Sequence, residues 1–107
     1  MSEGTYTALV TPFRDGEIDE PALRALITDQ LAAGVDGLVP CGSTGESATM
    51  DHAEHERVIE LTVAAADGRC KVIAGTGSNN TREACKLTAF AARAGADAAL
   101  LLSLIHI

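Results

Sequence analysis

GLVPCGSTGES, residues 37–47, is the stretch whose reading decides the fold. It opens as a short apolar run, Leu38-Val39-Pro40, too short for a helix and suited to a buried strand. It then breaks into Cys41-Gly42-Ser43-Thr44-Gly45-Glu46-Ser47, with two glycines, three hydroxyls and one carboxylate in seven residues. Glycine lets a backbone turn tightly or approach a ligand closely, and hydroxyls both donate and accept hydrogen bonds. A loop of this composition at the carboxyl end of a strand is where α/β proteins carry their chemistry.

The flanking segments repeat this arrangement. Upstream, TYTALVTPF (5–13) is a β-branched run ended by proline and reads as a first strand. Asp15-Gly16 marks a turn, and Asp19 caps a helix with Pro21 in its first turn. Leu23, Leu26, Ile27 and Leu31 fall on one face of that helix, and Gly34 stops it. Downstream, Asp51 with Glu54 predicts a capped second helix carrying His55, Val58, Ile59 and Thr62 on one face, ending before Gly68.

KVIAG (71–75) is the third strand, followed by a second polar loop, Thr76-Gly77-Ser78-Asn79. Asn80 and Glu83 form another cap pattern. A third helix carries Ala84, Leu87, Thr88 and Ala91 and stops at Gly95, and AALLL (98–102) is a fourth strand. The order β-α-β-α-β-α-β implies a parallel sheet covered by helices. Ala33-Gly34-Val35-Asp36 returns as Ala94-Gly95-Ala96-Asp97, 61 residues later, an interval that fits two βα units of about 30 residues. A (β/α)8 barrel and an open doubly wound sheet both satisfy this pattern.

The whole chain narrows the function classes. Its 107 residues suffice for one small domain, and 47% hydrophobic with 21% charged residues is ordinary for a folded protein. Aromatics amount to 3% and the net charge is −7, which argue against nucleic acid and against an anionic membrane surface. Cys41, Cys70 and Cys85 make no CxxC pair and read as reduced thiols in a cytoplasmic protein. Ser2-Glu3-Gly4 is unlike the basic start of a secretory signal, and no apolar run reaches the ~18 residues of a membrane span.

Two polar loops after adjacent parallel strands would lie side by side on one rim and suit a small carboxylate. The plain alternative is that Ser43, Thr44 and Ser47 only cap the loop and the next helix. GSTGES lacks the lysine of a phosphate-binding loop. His52 and His55 share a helix face, as metal ligands or as a solvated surface, but HAEHE is not HExxH. Cys41 reads as a packed small side chain rather than a nucleophile. Lys71 opens a strand at the end opposite the loops and Lys86 falls in mid-helix, so neither is placed for covalent chemistry.

Together ALVTPF (8–13), GLVPCGSTGESATM (37–50), DHAEHERVIELT (51–62), VIAGTGSN (72–79) and AGADAAL (94–100) resemble the 4-hydroxy-tetrahydrodipicolinate synthase family of pyruvate-dependent class I aldolases. The resemblance implies a (β/α)8 barrel, of which this chain is the N-terminal half. It implies a homotetramer that uses no metal or other cofactor. It also implies condensation of pyruvate with aspartate semialdehyde, through a Schiff base on a lysine of the sixth strand, toward diaminopimelate and lysine. By the same resemblance Ser43 belongs to a proton relay and Thr44 binds the pyruvate carboxylate. Ser47, Ala48, His52, His55, Asn79 and Glu83 match an inhibitory lysine site at a subunit interface. N-acetylneuraminate lyase and the 2-keto-3-deoxy sugar acid aldolases share this loop type and are the neighbouring alternative; a non-catalytic half-barrel binding module is another. Residues 1–103 are then expected to form the half barrel, and 104–107 a divergent or truncated tail where the family continues with a relay tyrosine. The expected Schiff-base lysine falls outside this stretch, so the chain alone is expected to be inactive.

Overall fold

A computed structural model describes residues 4–41, 51–76, 81–100 and 104–106. The chain runs β1 (Tyr6–Ala8), β2 (Phe13–Arg14), β3 (Glu17–Ile18), α1 (Glu20–Ala32), β4 (Gly37–Val39), α2 (His52–Ala66), β5 (Lys71–Gly75), α3 (Thr81–Ala94), β6 (Ala98–Leu100) and β7 (Leu104–His106). The main sheet has the order β1-β4-β5-β6-β7. Its first four strands are parallel, with Tyr6 opposite Gly37, Leu38 opposite Val72 and Ala74 opposite Ala99.

The strand order separates the two architectures left open by the sequence pattern. A doubly wound sheet reverses direction at a switch point, whereas here each helical crossover moves one strand further the same way. Right-handed crossovers without reversal put all helices on one side of the sheet. Consistently, α1 packs on α2, and α2 on α3. This is the progression of a (β/α)8 barrel, and the described residues build an α/β unit corresponding to its first half.

The helices start and stop where local chemistry dictates. Asp19 accepts from the Ala22 N–H at 3.1 Å, with Pro21 placed where its missing N–H is no loss. At α2 the Asp51 carboxylate accepts from Glu54 N at 2.8 Å, and Glu54 Oε1 accepts from Asp51 N at 3.0 Å, a complete capping box. The two AG-x-D segments end α1 and α3 identically. Gly34 (φ +81°) and Gly95 (φ +103°) take left-handed conformations that side chains resist. The following N–H groups of Val35 and Ala96 then bond back to Gln30 O and Ala91 O, which is the Schellman arrangement.

The core lies between sheet and helices. Leu23 and Ile27 of α1, Leu38 of β4, Val58, Ile59 and Thr62 of α2, and Leu87 and Ala91 of α3 are all fully buried. Thr62 satisfies its hydroxyl by donating to Val58 O at 2.8 Å. Gly37 allows close approach of β1 to β4, because a methyl there would overlap the Tyr6 ring.

Two expectations need correction. The stretch 5–13 is not one strand: β1 ends at Ala8, and Phe13 pairs with Ile18 in a separate hairpin. Pro12 has no N–H to continue a ladder, and its carbonyl accepts from Asp19 N instead. The Asp15-Gly16 turn closes that hairpin with both residues at positive φ. Leu26 is exposed, so the inward face of α1 is narrower than its spacing suggested. Residues 104–106 form β7, which pairs antiparallel with β6. The cap pattern at Asn80 and Glu83 falls on an undescribed residue and side chain.

Candidate functional site

β4 and β5 are neighbours in one parallel sheet, so their carboxyl ends reach the same rim. The polar stretch beginning at Gly42 follows Cys41, and the one beginning at Gly77 follows Thr76. The two stems are joined: Gly75 N donates to Pro40 O at 2.9 Å. The rim expected for two adjacent loops is therefore present at their stems. Ser43, Thr44, Ser47, Ala48 and Asn79 themselves lie outside the described residues. His52 and Glu83 lie in the first turns of α2 and α3, but their side chains are outside the described residues.

His55 is the one expected site side chain that the structure places. It is 3% exposed, in the first turns of α2, and its Nε2 meets Gly75 O at 2.5 Å. A carbonyl can only accept, so Nε2 carries the proton. Behind it, Cys41 is buried at φ +57° and its Sγ–H reaches His55 O at 4.0 Å. That placement agrees with a packed cysteine.

Thr76 is a stem residue the sequence left without a role. It is fully buried, and its hydroxyl meets that of Thr88 at 2.9 Å. Thr88 in turn donates to Ala84 O at 2.9 Å, so Thr76 is the donor in the pair. The signal was Thr88 on an otherwise apolar helical face. A polar residue there implies a partner across the layer.

The opposite end of the sheet is different. A cavity of about 290 Å3 is lined by Asp36, Val63, Cys70, Lys71, Asp97 and neighbouring backbone. Burial, reinforced by the negative charge of Asp97, pushes the Cys70 thiol up despite nearby Arg69, which lowers its reactivity. Lys71 is exposed at this end, away from the rim, and Lys86 is exposed on α3. Neither lysine of the chain reaches the loop stems. Among the described residues no group of three His, Cys, Asp or Glu could hold a metal ion.

A one-directional parallel β/α unit whose adjacent strands send polar stretches from their carboxyl ends is the class of the barrel enzymes. The chain belongs to the dihydrodipicolinate synthetase family, whose model matches residues 1–103. It is 59% identical over 103 residues to the 4-hydroxy-tetrahydrodipicolinate synthase of Syntrophus aciditrophicus, covering 96% of this chain and 35% of that protein. Among solved structures it resembles dihydrodipicolinate synthase from Aquifex aeolicus at TM-score 0.90 and 52% identity, over 94% of this chain and 34% of that one. It also resembles YagE of E. coli K12, a family member solved with pyruvate, at TM-score 0.88 and 37% identity, over 92% and 33% of the two chains. The chain spans about a third of the length of the curated relatives it matches.

Proposed function

We propose that this chain supplies part of a synthase that condenses pyruvate with aspartate semialdehyde, on the route to diaminopimelate and lysine. The supporting observation is the pair of joined stems: both polar stretches leave from adjacent strand ends, Pro40-Cys41 and Gly75-Thr76, in a chain of this family. Relatives bearing the synthase name and a pyruvate complex within the family support the substrate class.

In this reading Thr44 holds the pyruvate carboxylate by hydrogen bonding. Ser43 passes protons as an amine adds to the keto carbon and water leaves. The amine belongs to a lysine outside this chain, since Lys71 stands at the wrong end of β5 and Lys86 on the outer helix. Ser47, Ala48, His52, Asn79 and Glu83 form the surround for an inhibitory lysine between subunits of a cytoplasmic homotetramer, and His55, buried with its Nε2 on Gly75 O, supports it from within the fold. Glu83 then pairs with the effector ammonium.

The test is a chimera in which residues 1–103 replace the stretch they match in the Aquifex aeolicus enzyme. It should condense the two substrates, and Thr44→Val should raise the pyruvate KM while Ser43→Ala lowers kcat. Borohydride should trap pyruvate on the chimera and not on the 107-residue chain. A folded chimera without turnover, or trapping on Lys71 or Lys86, refutes the reading.

A further inference from the structure

The Gly75 peptide is held from two directions. Its N–H donates to Pro40 O of the neighbouring strand end at 2.9 Å, and its carbonyl accepts from His55 Nε2 at 2.5 Å. His55 shares its helix face with Val58, Ile59 and Thr62, all fully buried. A leucine would fill such a position without any desolvation cost, whereas a buried imidazole is tolerated only when its polar atoms are bonded. Cys41 closes the circuit by bringing its Sγ against the His55 carbonyl at 4.0 Å. One residue of α2 thus touches both strand ends from which the polar stretches leave.

We infer that His55 is a positioning residue: its Nε2–H sets the spacing between the carboxyl ends of β4 and β5 through the Gly75 peptide. It acts on the keto-acid site through Gly75 and Cys41. This role in catalysis rests on the synthase reading above, while the bond itself does not.

The test has three arms. In the chain labelled with 15N-histidine, long-range 1H–15N spectra should show His55 protonated at Nε2. A neutral ring protonated only at Nδ1 overturns the inference. In His55→Leu, amide exchange at Gly75 should quicken about tenfold, the loss of one buried hydrogen bond, while Val72 at the far end of β5 keeps its rate. His55→Gln, whose amide N–H can stand in for Nε2–H, should return Gly75 to within about twofold of the parent. In the chimera, kcat/KM for pyruvate should fall about tenfold in His55→Leu and recover in His55→Gln. Equal quickening of Gly75 and Val72, or a glutamine variant no better than leucine, marks His55 as packing alone and overturns the inference. If His55→Leu does not fold, the tautomer and the glutamine variant decide. An inactive parent chimera refutes only the synthase reading, and the first two arms still decide the role of His55.

Discussion

Asp36 and Asp97 hold the amino ends of two different strands by the same two-point grip. The Asp36 N–H donates to Thr5 O at 2.8 Å while its Oδ2 accepts from Thr5 N at 2.7 Å. The Asp97 N–H donates to Val72 O at 2.8 Å while its Oδ2 accepts from Val72 N at 2.8 Å. Each aspartate follows a glycine-stopped helix and fastens its own strand to the one before it. The recurring AG-x-D segment is therefore a unit of construction: it ends a helix, turns the chain and sets the register of the next parallel pair.

The grip should cost more to lose at Asp97, where it is half-buried, than at Asp36, where it is exposed. Asp97→Ala should destabilise by about 1–3 kcal/mol and Asp36→Ala by less, because an unpaired N–H in water recovers a partner. Asp97→Asn keeps an acceptor oxygen and should fall between wild type and alanine. Urea denaturation of the three variants checks the order.

The α1–α2 packing carries a two-bond ion pair. Arg57 Nε and Nη2 donate to the two carboxylate oxygens of Glu20 at 3.1 and 3.0 Å. The hydrogen bond from Arg57 chiefly holds the Glu20 pKa below its usual value; burial opposes this, and the charges of Arg57 and Arg24 add to it. A lowered folded-state value means that the stabilisation is present above the unfolded value, about 4.3, and is lost as pH falls through the lower folded one. The gap in urea midpoint between wild type and Glu20→Gln should be visible at neutral pH and close in acid. Because the pair is exposed, added salt should narrow the gap as well.

The three cysteines should react in the order of their access. Cys85 is exposed, Cys70 half-buried with its thiol pushed up, and Cys41 buried. An aromatic disulfide reagent at mildly alkaline pH should label Cys85 at once and Cys70 slowly. Cys41 should react only at the rate of opening of the fold. Mass spectrometry of quenched digests reads the order, and early labelling of Cys41 would contradict its placement.

Cys41 combines burial with a left-handed backbone, φ +57°. A β-branched side chain is poorly accommodated there, so Cys41→Val should destabilise more than Cys41→Ala despite its larger apolar side chain. Cys41→Gly should relieve the backbone while leaving a small cavity, and should lie close to alanine. Thermal melts of the three variants give the ranking, and valine as the mildest would refute the argument.

Much of the fold was legible because its determinants are local. The Asp19 cap, the Asp51–Glu54 box, the Asp15-Gly16 turn and the two glycine stops each act within a few residues, as their bonds confirm. The stretch 5–13 misled because β-branched residues favour extended backbone whether or not a neighbour exists to pair with. Leu26 misled because helical spacing defines a stripe, and only the adjoining layer decides how wide a stripe it covers.

By itself the sequence determined the alternation of strands and helices, their caps, and the AG-x-D repeat, since all are written in spacings of two to five residues. The tertiary structure alone decided that the strands advance without reversal, that His55 turns its ring to a carbonyl 20 residues away, and that Thr76 finds Thr88. The reason is physical. A helix cap is satisfied inside its own turn, whereas a buried imidazole or hydroxyl is satisfied by whichever backbone the packing of sheet on helix brings to it.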